Sequence, residues 1–159
     1  MKIAIAQKNP VLLDRRATLQ LVENSIEEAA SAGAALVAFG ETFVPGYPVW
    51  LDRTNAAEFD SDVQKDFHAH YVDQAVVLSD LDSIRARCKA SSVAAVIGIA
   101  ERDPSRGQSI FATAVSINDV GIVQPIHRKL VPTYEERLSW SHGDAHGLRT
   151  WPLNDFTVG

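Results

Sequence analysis

Cysteine is almost absent from this sequence, since Cys88 is the only one in 159 residues. An internal disulfide is therefore excluded, and no N-terminal stretch is apolar for long enough to be a signal peptide. These two absences indicate a reducing, cytoplasmic setting. Long hydrophobic runs are missing as well: the longest stretch without a polar side chain, residues 32–40, is far shorter than the roughly 20 residues that cross a bilayer. We therefore expect no membrane partner.

Lysine and arginine are not concentrated anywhere in the chain, which has 15 basic and 20 acidic residues and a formal net charge of −5. Nucleic acids and acidic membrane surfaces are bound through basic patches, so neither is an expected partner. Internal repeats and low-complexity segments are also lacking. At roughly 100–200 residues per domain, a chain of this length is expected to fold as one domain.

The N-terminal part of the sequence predicts a strand–helix–strand unit. Residues 2–7 are expected to form a short buried strand, in which Ile3 and Ile5 alternate with alanines. Asp14 is a plausible N-cap for an amphipathic helix of about 18 residues. The apolar run at residues 35–39 is typical of a strand that is covered on both faces. Two parallel strands joined by a right-handed crossover helix are the expected result.

The rest of the chain predicts a mixed sheet. The expected elements are a largely helical region, a buried strand, an antiparallel hairpin, a long polar loop with a short helical turn, and a β tail: residues 62–91, 93–100, 110–117 with 122–125, 127–147, and 148–159. A parallel β-α-β start followed by an antiparallel hairpin indicates an α/β fold, in which helices cover a mixed sheet.

The first candidate for chemistry is Glu41, which follows the strand at residues 35–39 and opens a loop rich in glycine and proline. Ligands of α/β proteins bind at the carboxyl ends of the strands. A carboxylate beside apolar strand ends has a raised pKa, which suits a general base near neutral pH. On position alone, a solvated loop glutamate or a helix cap is the commoner explanation.

A second candidate is Lys129, which follows a strand and a turn within a basic segment at residues 127–129. A fixed ammonium group there can stabilise a developing anion, although a solvated basic cluster explains the same pattern. The next segment contains Glu135 and Glu136, one of which can orient a neighbour or carry protons. The alternative is an exposed first helical turn, where acidic residues are favourable.

Neither the histidines nor the cysteine suggests a further site. His142 and His146 are four residues apart, but Gly143 and Gly147 disfavour a helix that would bring them to one face, so no metal site is expected. Cys88 lies on the apolar side of a predicted helix. It is expected to be a buried core residue rather than a nucleophile, which needs an electropositive and partly open setting.

Two segments resemble motifs of a known family. FGETFVPGYP at residues 39–48 resembles the catalytic-glutamate motif of the nitrilases, which belong to the carbon–nitrogen hydrolase superfamily. HRKLVPTYEERL at residues 127–138 resembles the catalytic-lysine motif of that family, and Trp140 fits as well. The order of the motifs is correct and the resemblance runs along nearly the whole chain. The details PGYP and PTxxER favour the nitrilase branch, which includes cyanide-converting relatives.

The resemblance implies an αββα sandwich fold and a cysteine hydrolase that needs no metal or organic cofactor. A thiolate attacks a nitrile carbon to give a thioimidate, water adds, ammonia leaves, and the thioester is hydrolysed to a carboxylic acid. By resemblance Glu41 is the general base, Lys129 stabilises the tetrahedral intermediates, and Glu136 orients Lys129 or the substrate.

The expected substrate pocket includes Tyr47, Trp50 and Tyr134, but their identity does not specify which nitrile is bound or whether acid or amide is released. Full-length members of the family form homo-oligomers, so the same is expected of the whole protein.

The resemblance also has departures. The family has its nucleophilic cysteine after the lysine motif, in a GLICWE-type segment, and residues 157–159 look like the approach to it. We therefore expect residues 1–159 to be the N-terminal part of a single carbon–nitrogen hydrolase domain, inactive alone and with an incomplete fold. Where the family has Gly-Asp-Gly, this chain has Ala145 at the third position. The alternatives are a truncated product that acts as a binding or assembly partner, and an enzyme of the amidase or cyanide-converting branch.

Overall fold

The computed structural model describes residues 1–159 and contains a five-stranded sheet with the order β1-β2-β3-β4-β5. Strands β1, β2 and β3 are parallel, whereas β3, β4 and β5 are successively antiparallel. A separate two-stranded antiparallel hairpin, β6–β7, closes the chain. The strand bounds are Ile3–Ile5, Leu36–Ala38, Ala94–Arg102, Ile110–Ile117, His127–Arg128, Trp151–Leu153 and Phe156–Val158. The predicted mixed sheet is confirmed.

Four α-helices accompany the sheet. Helices α1 to α4 span Arg15–Ser31, Trp50–Arg53, Asp62–Gln74 and Asp82–Ser91. Short 3-10 turns occur at Leu78–Leu81, Pro104–Arg106, Tyr134–Leu138 and Ala145–Gly147. None of the helices combines the length and the hydrophobicity that crossing a membrane requires.

Helix α1 forms as its sequence predicts. The Asp14 side chain accepts a hydrogen bond from the backbone N–H of Ala17 at 2.9 Å, which satisfies a donor at the helix start. Val22 and Ile26 lie fully buried against the sheet. Gly33 follows the last turn with a φ of 71°, a left-handed conformation that glycine adopts without strain. Together with β1 and β2, α1 completes the predicted β-α-β unit.

The hairpin prediction was partly wrong. The main partner of β4 is β3, in a ladder from Ala95↔Ile117 to Arg102↔Ile110. The predicted partner, residues 122–125, makes a single bridge at Val123. Asn118 accepts hydrogen bonds from N–H groups of its own turn, and Pro125 has no N–H to donate, so the ladder does not continue there. The turn after β3 is short enough to return the chain directly, which makes β3–β4 the longest pairing.

The prediction that β1 is a buried strand was also wrong for its two isoleucines. Ile3 is 54% exposed and Ile5 is 82% exposed. Both lie on the sheet face that carries Leu36, because Ile3 pairs with Leu36 in the register of β1 and β2. The β6–β7 hairpin covers Leu36 with Trp151. This small core does not include β1, which is the edge strand and therefore keeps its isoleucines in solvent.

Candidate active site

A close contact between a loop and a strand positions Glu41. A Cβ atom on Gly98 of β3 would lie 2.1 Å from the carbonyl oxygen of Gly40 and 2.8 Å from the Cα atom of Glu41. Only glycine therefore allows the Glu41 loop to lie directly on β3. Backbone hydrogen bonds fix the loop there, since the N–H of Val44 donates to Gly98 at 3.1 Å and the N–H of Ala100 donates to Val44 at 2.8 Å.

The backbone of Lys129 is held on both sides. Its N–H donates to the carbonyl of Ala112 on β4 at 2.8 Å, and its carbonyl accepts from the N–H of Gly143 at 3.0 Å. A Cβ atom on Gly143 would lie 2.6 Å from that carbonyl, so glycine is required for the approach. Lys129 is thus fixed between the last part of the sheet and the loop that follows the Tyr134–Leu138 turn.

Glu136 lies in the Tyr134–Leu138 turn and is 6% exposed. Its Oε2 atom accepts a hydrogen bond from the backbone N–H of Thr133 at 2.6 Å, and its Oε1 atom accepts from the Tyr47 hydroxyl at 3.0 Å. A third donor is the Lys129 ammonium, 2.9 Å from Oε2. Burial is therefore compensated by three hydrogen bonds to the carboxylate.

The three residues of the two motifs converge on one point. The Nζ atom of Lys129 lies 3.0 Å from Glu41 Oε1 and 2.9 Å from Glu136 Oε2. The side chains of Glu41, Lys129 and Glu136 are 47%, 28% and 7% exposed. A single cation thus lies between a solvent-facing carboxylate and a buried one. Side chains that are 88 residues apart in the chain form one polar cluster.

The charge state of this cluster follows from its contacts. Burial lowers the pKa of Lys129, but the hydrogen bonds to Glu136 and Glu41 outweigh that effect, and the pKa lies above its ordinary value. Burial raises the pKa of Glu136, but the hydrogen bonds from Lys129, Thr133 and Tyr47 outweigh it, and the pKa lies below its ordinary value. At neutral pH Lys129 is protonated and Glu136 is ionised.

Tyr47 stays a hydrogen-bond donor over a wide pH range. Burial, and then its hydrogen bond to Glu136, raise its pKa well above the ordinary value for tyrosine. Its ring also packs edge-on against Trp140, with 5.4 Å between the ring centroids. Its hydroxyl group is directed at the Glu136 carboxylate.

A cleft of about 320 Å³ opens beside the cluster. This volume is at the small end of the range for small-molecule sites, roughly 300–1,000 Å³. Glu41 and Lys129 provide its charges, and His127 adds an imidazole; the other lining residues are Phe39, Gly40, Val96, Gly98, Ala112, Thr113, Ala114 and Leu130. A small substrate with an apolar body and one reactive polar group fits this lining.

None of the three predicted pocket residues lines the cleft. Tyr47 contacts Glu136 and Trp140 instead. Trp50 is 4% exposed and packs against Phe67 and Tyr71, with ring centroids 5.8 Å and 4.8 Å away. Tyr134 is 81% exposed. The assignment of Tyr47, Trp50 and Tyr134 to the substrate pocket stays a prediction.

Tyr71 packs against the cluster through Trp140, and neither the sequence pattern nor the resemblance indicated it. The buried Tyr71 hydroxyl donates to the carbonyl of Gly46 at 3.3 Å and accepts from the indole N–H of Trp140 at 3.2 Å. The ammonium of Lys129 lies 5.6 Å from the Trp140 ring, within range of a cation–π interaction. Trp140 was singled out only as part of the resemblance, and Tyr71 lies on α3, outside both motifs.

Two other chemistries that the sequence raised involve the cysteine and the histidines. Cys88 is completely buried in the core between α4, α1 and the sheet, where burial raises the pKa of its thiol to about 12. It does not line the cleft, which confirms its prediction as a core residue. The structure contains no group of three or more potential metal ligands; His146 pairs with Asp144.

Comparison with known proteins agrees with these motifs. A nitrilase 2 from an unknown prokaryotic organism is 38% identical over 94% of this chain and 46% of its own length. An aliphatic nitrilase from Rhodococcus rhodochrous is 32% identical over 100% of this chain and 39% of its own length. An arylacetonitrilase from Hypocrea virens is 31% identical over 94% of this chain and 43% of its own length. The chain spans less than half the length of these curated relatives.

Solved structures show the same fold. A double mutant of the amidase from Nesterenkonia sp. AN1, in complex with acrylamide, has a TM-score of 0.60 at 21% identity, over 91% of this chain and 48% of the amidase chain. This likeness confirms the α/β class with a mixed sheet and helices, of which the chain holds a part. In sequence, residues 2–155 match the family described as carbon-nitrogen hydrolase. The chain therefore belongs to the carbon–nitrogen hydrolase family.

Proposed function

We propose that this chain supplies the acid–base and electrostatic residues of a nitrilase, which converts a nitrile to a carboxylic acid and ammonia. The observation that carries the proposal is the Lys129 ammonium, held between Glu41 and Glu136 beside a small cleft. The nitrilases among the relatives, at 38% and 32% identity, support this branch of the family.

Glu41 is the proposed general base. It is the more exposed of the two carboxylates and lines the cleft. Its hydrogen bond to Lys129 uses Oε1 and leaves Oε2 to accept a proton from a thiol or a water molecule. In the first step a thiolate sulfur bonds to the nitrile carbon, and the proton held by Glu41 moves to the nitrile nitrogen to give a thioimidate.

Lys129 is proposed to stabilise the tetrahedral intermediates. An ammonium group has three N–H donors, and the two glutamates accept two of them. The third is available to a charged atom in the cleft. Because its pKa is raised, Lys129 stays protonated and acts as a fixed positive charge, an arrangement that is effective in a site that excludes water.

Glu136 is proposed to orient Lys129 rather than to move protons. Its carboxylate already accepts from Lys129, Thr133 and Tyr47. These donors favour the ionised form, so Glu136 is a poor proton acceptor. It contributes a second negative charge that keeps the ammonium in place when Glu41 is protonated during the reaction.

The nucleophile is proposed to come from outside residues 1–159. Cys88 is the single cysteine of the sequence and is buried away from the cleft with its thiol protonated. On this proposal residues 1–159 are the N-terminal part of one domain and are inactive alone. After the thioimidate forms, one water molecule displaces ammonia to leave a thioester, and a second releases the carboxylic acid. The whole enzyme is proposed to form homo-oligomers.

The test joins residues 1–159 to the C-terminal remainder of the 38% identical nitrilase 2 and measures ammonia release from a panel of nitriles and amides. We expect the fusion to hydrolyse nitriles and the 159-residue chain to hydrolyse neither class. A folded fusion that cleaves amides but no nitrile would replace the proposal with the amidase branch. Ammonia release by the chain alone, abolished by Cys88→Ala, would overturn the assignment of the nucleophile.

A further inference from the structure

Arg128 lies next to Lys129 but on the opposite face of the sheet, where it joins a cluster of acidic residues. We propose that Arg128 is a positioning residue, which holds Lys129 between Glu41 and Glu136 by fixing the strand that leads into Lys129 and the loop that packs on it. The importance of that position rests on the proposed function of Lys129.

The first part of the clamp is a fork between Arg128 and Glu101. The Nε atom of Arg128 donates to Glu101 Oε2 at 2.8 Å, and Nη2 donates to Oε1 at 2.5 Å. Glu101 is 2% exposed, and its Oε2 atom also accepts from the Thr113 hydroxyl at 2.7 Å. Parallel hydrogen bonds of this kind specify both distance and orientation. Because Glu101 lies on β3, the fork reaches across β4 and ties β5 to the centre of the sheet.

In the second part of the clamp, Arg128 contacts two carboxylates outside the fork, Asp103 and Asp144. Nη2 of Arg128 also donates to Asp103 Oδ2 at 3.0 Å, and Nη1 lies 3.6 Å from Asp144 Oδ2. The guanidinium lies over the Phe111 ring, 4.3 Å from its centroid. Its side chain is 11% exposed. Arg128 is thus the largely buried cation that these three carboxylates, Glu101, Asp103 and Asp144, share.

Strand β5 needs such a clamp. It consists of His127–Arg128, pairs only with β4 and is the last strand of the sheet. A slip by one residue would move every side chain of a strand to the other face, and so would take Lys129 out of the cleft. The backbone hydrogen bonds of so short a strand resist that slip weakly, whereas the Arg128–Glu101 fork exists in one register only.

The contact with Asp144 secures the other side of Lys129. Asp144 follows Gly143, whose N–H donates to the carbonyl of Lys129 at 3.0 Å. Arg128 therefore holds both the strand that leads into Lys129 and the loop that packs on it. A lysine at position 128 would keep the charge but not the planar fork.

The test is a measurement of Lys129 reactivity in the 159-residue chain. Acetic anhydride modifies neutral amines, and peptide mass spectrometry gives the rate for each lysine as a function of pH. Arg128→Met is expected to release Lys129 from its carboxylates and to lower its pKa. At a pH below that pKa, the rate of modification should rise about tenfold for each unit by which the pKa falls. Lys89 on α4 is the internal reference and should keep its rate.

Two further variants separate geometry from charge and from stability. Arg128→Lys should raise the Lys129 rate nearly as much as Arg128→Met, because the fork is lost in both. Arg106→Met is the matched control, since Arg106 also lies near Asp103 and Phe111 but is largely exposed. It should leave Lys129 unchanged. If Arg128→Met does not fold, Glu101→Gln takes its place and should raise the rate by a smaller factor.

An unchanged Lys129 profile in a folded Arg128 or Glu101 variant, with only the melting temperature lowered, would overturn the proposal. The labelling result does not depend on catalysis. A raised Lys129 rate combined with a wild-type fusion that hydrolyses no nitrile would therefore keep the positioning role and reject the proposed function.

Discussion

The two faces of the sheet differ in what covers them. One face, here called the closed face, is covered by α1 and α4. Ile97 and Ile99 of the sheet and Cys88 of α4 are completely buried there. The other face, here called the open face, carries Lys129. Helices α2 and α3 and Trp140 cover it at Ala100, Ile110 and Ala112, and the β6–β7 hairpin covers it at Leu36. A cavity of about 880 Å³ remains under the hairpin, and Ile5 on the edge strand is 82% exposed. Burial therefore decides which side chain can react. The thiol on the closed face is protonated and inert, whereas the ammonium on the open face borders a cleft.

We expect the largest change in catalytic rate, when Lys129 on the open face is compared with a lysine on the helices of the closed face. In the fusion protein, Lys129→Ala removes the fixed positive charge and should lower kcat by roughly 10²–10³-fold, as the loss of one oxyanion donor does. Lys89→Ala, at an exposed position of α4, is the matched control and should leave kcat unchanged. Ammonia release measures both, and equal rates for the two variants would contradict the role of Lys129.

A second prediction compares how much a side chain on each face contributes to the free energy of unfolding. Ile97→Ala leaves a cavity in the helix-covered core and should lower the free energy of unfolding by about 2–5 kcal/mol. Ile5→Ala, in the exposed edge strand, should change it by less than about 0.5 kcal/mol. Urea denaturation of the 159-residue chain gives both values. A large loss for Ile5→Ala would mean that another surface covers this face in solution.

The sequence predicted the closed face better than the open one. The helical period of α1 and the apolar run of β2 depend on local spacing, and both elements formed as expected. Cys88 was placed in the core for the same reason. By contrast, the exposure of Ile3 and Ile5 depends on how far the β6–β7 hairpin reaches, and no local pattern encodes that distance.

The candidate site shows the same limit. The two motifs pointed to Glu41, Lys129 and Glu136, and the structure brings the three together, while their roles stay predictions. Resemblance rather than periodicity singled them out. The Tyr71–Trp140 contact behind them joins α3 to a loop that lies 69 residues further on, and only the tertiary fold creates such a pair.

A smaller effect is expected at the edge of the cluster. Tyr47→Phe removes the hydroxyl that donates to Glu136 but keeps the ring on Trp140. Water can replace part of the lost bond, so the free energy of unfolding should fall by about 1 kcal/mol. Tyr134→Phe is the matched control, because Tyr134 is 81% exposed, and should have no effect. Equal urea midpoints for the two variants would show that the Tyr47 bond contributes nothing.

The smallest effect is a pH dependence that belongs to the open face. Hydrogen bonds in the folded state lower the pKa of Glu136, so the unfolded chain binds a proton at this residue more readily than the folded one. Its contribution to stability is therefore fully present above the unfolded pKa, about 4.3, and is lost as the pH falls through the folded value.

Glu136→Gln should thus be less stable than wild type at pH 6, with a difference that shrinks towards pH 3. Glu135→Gln, at the exposed neighbouring position, should show no such trend. Thermal melts across this range measure the difference. If the melting temperatures of wild type and Glu136→Gln run parallel across this pH range, the buried carboxylate is not held in its ionised form by Lys129, Thr133 and Tyr47. The electrostatic difference between the two faces would then be rejected as well.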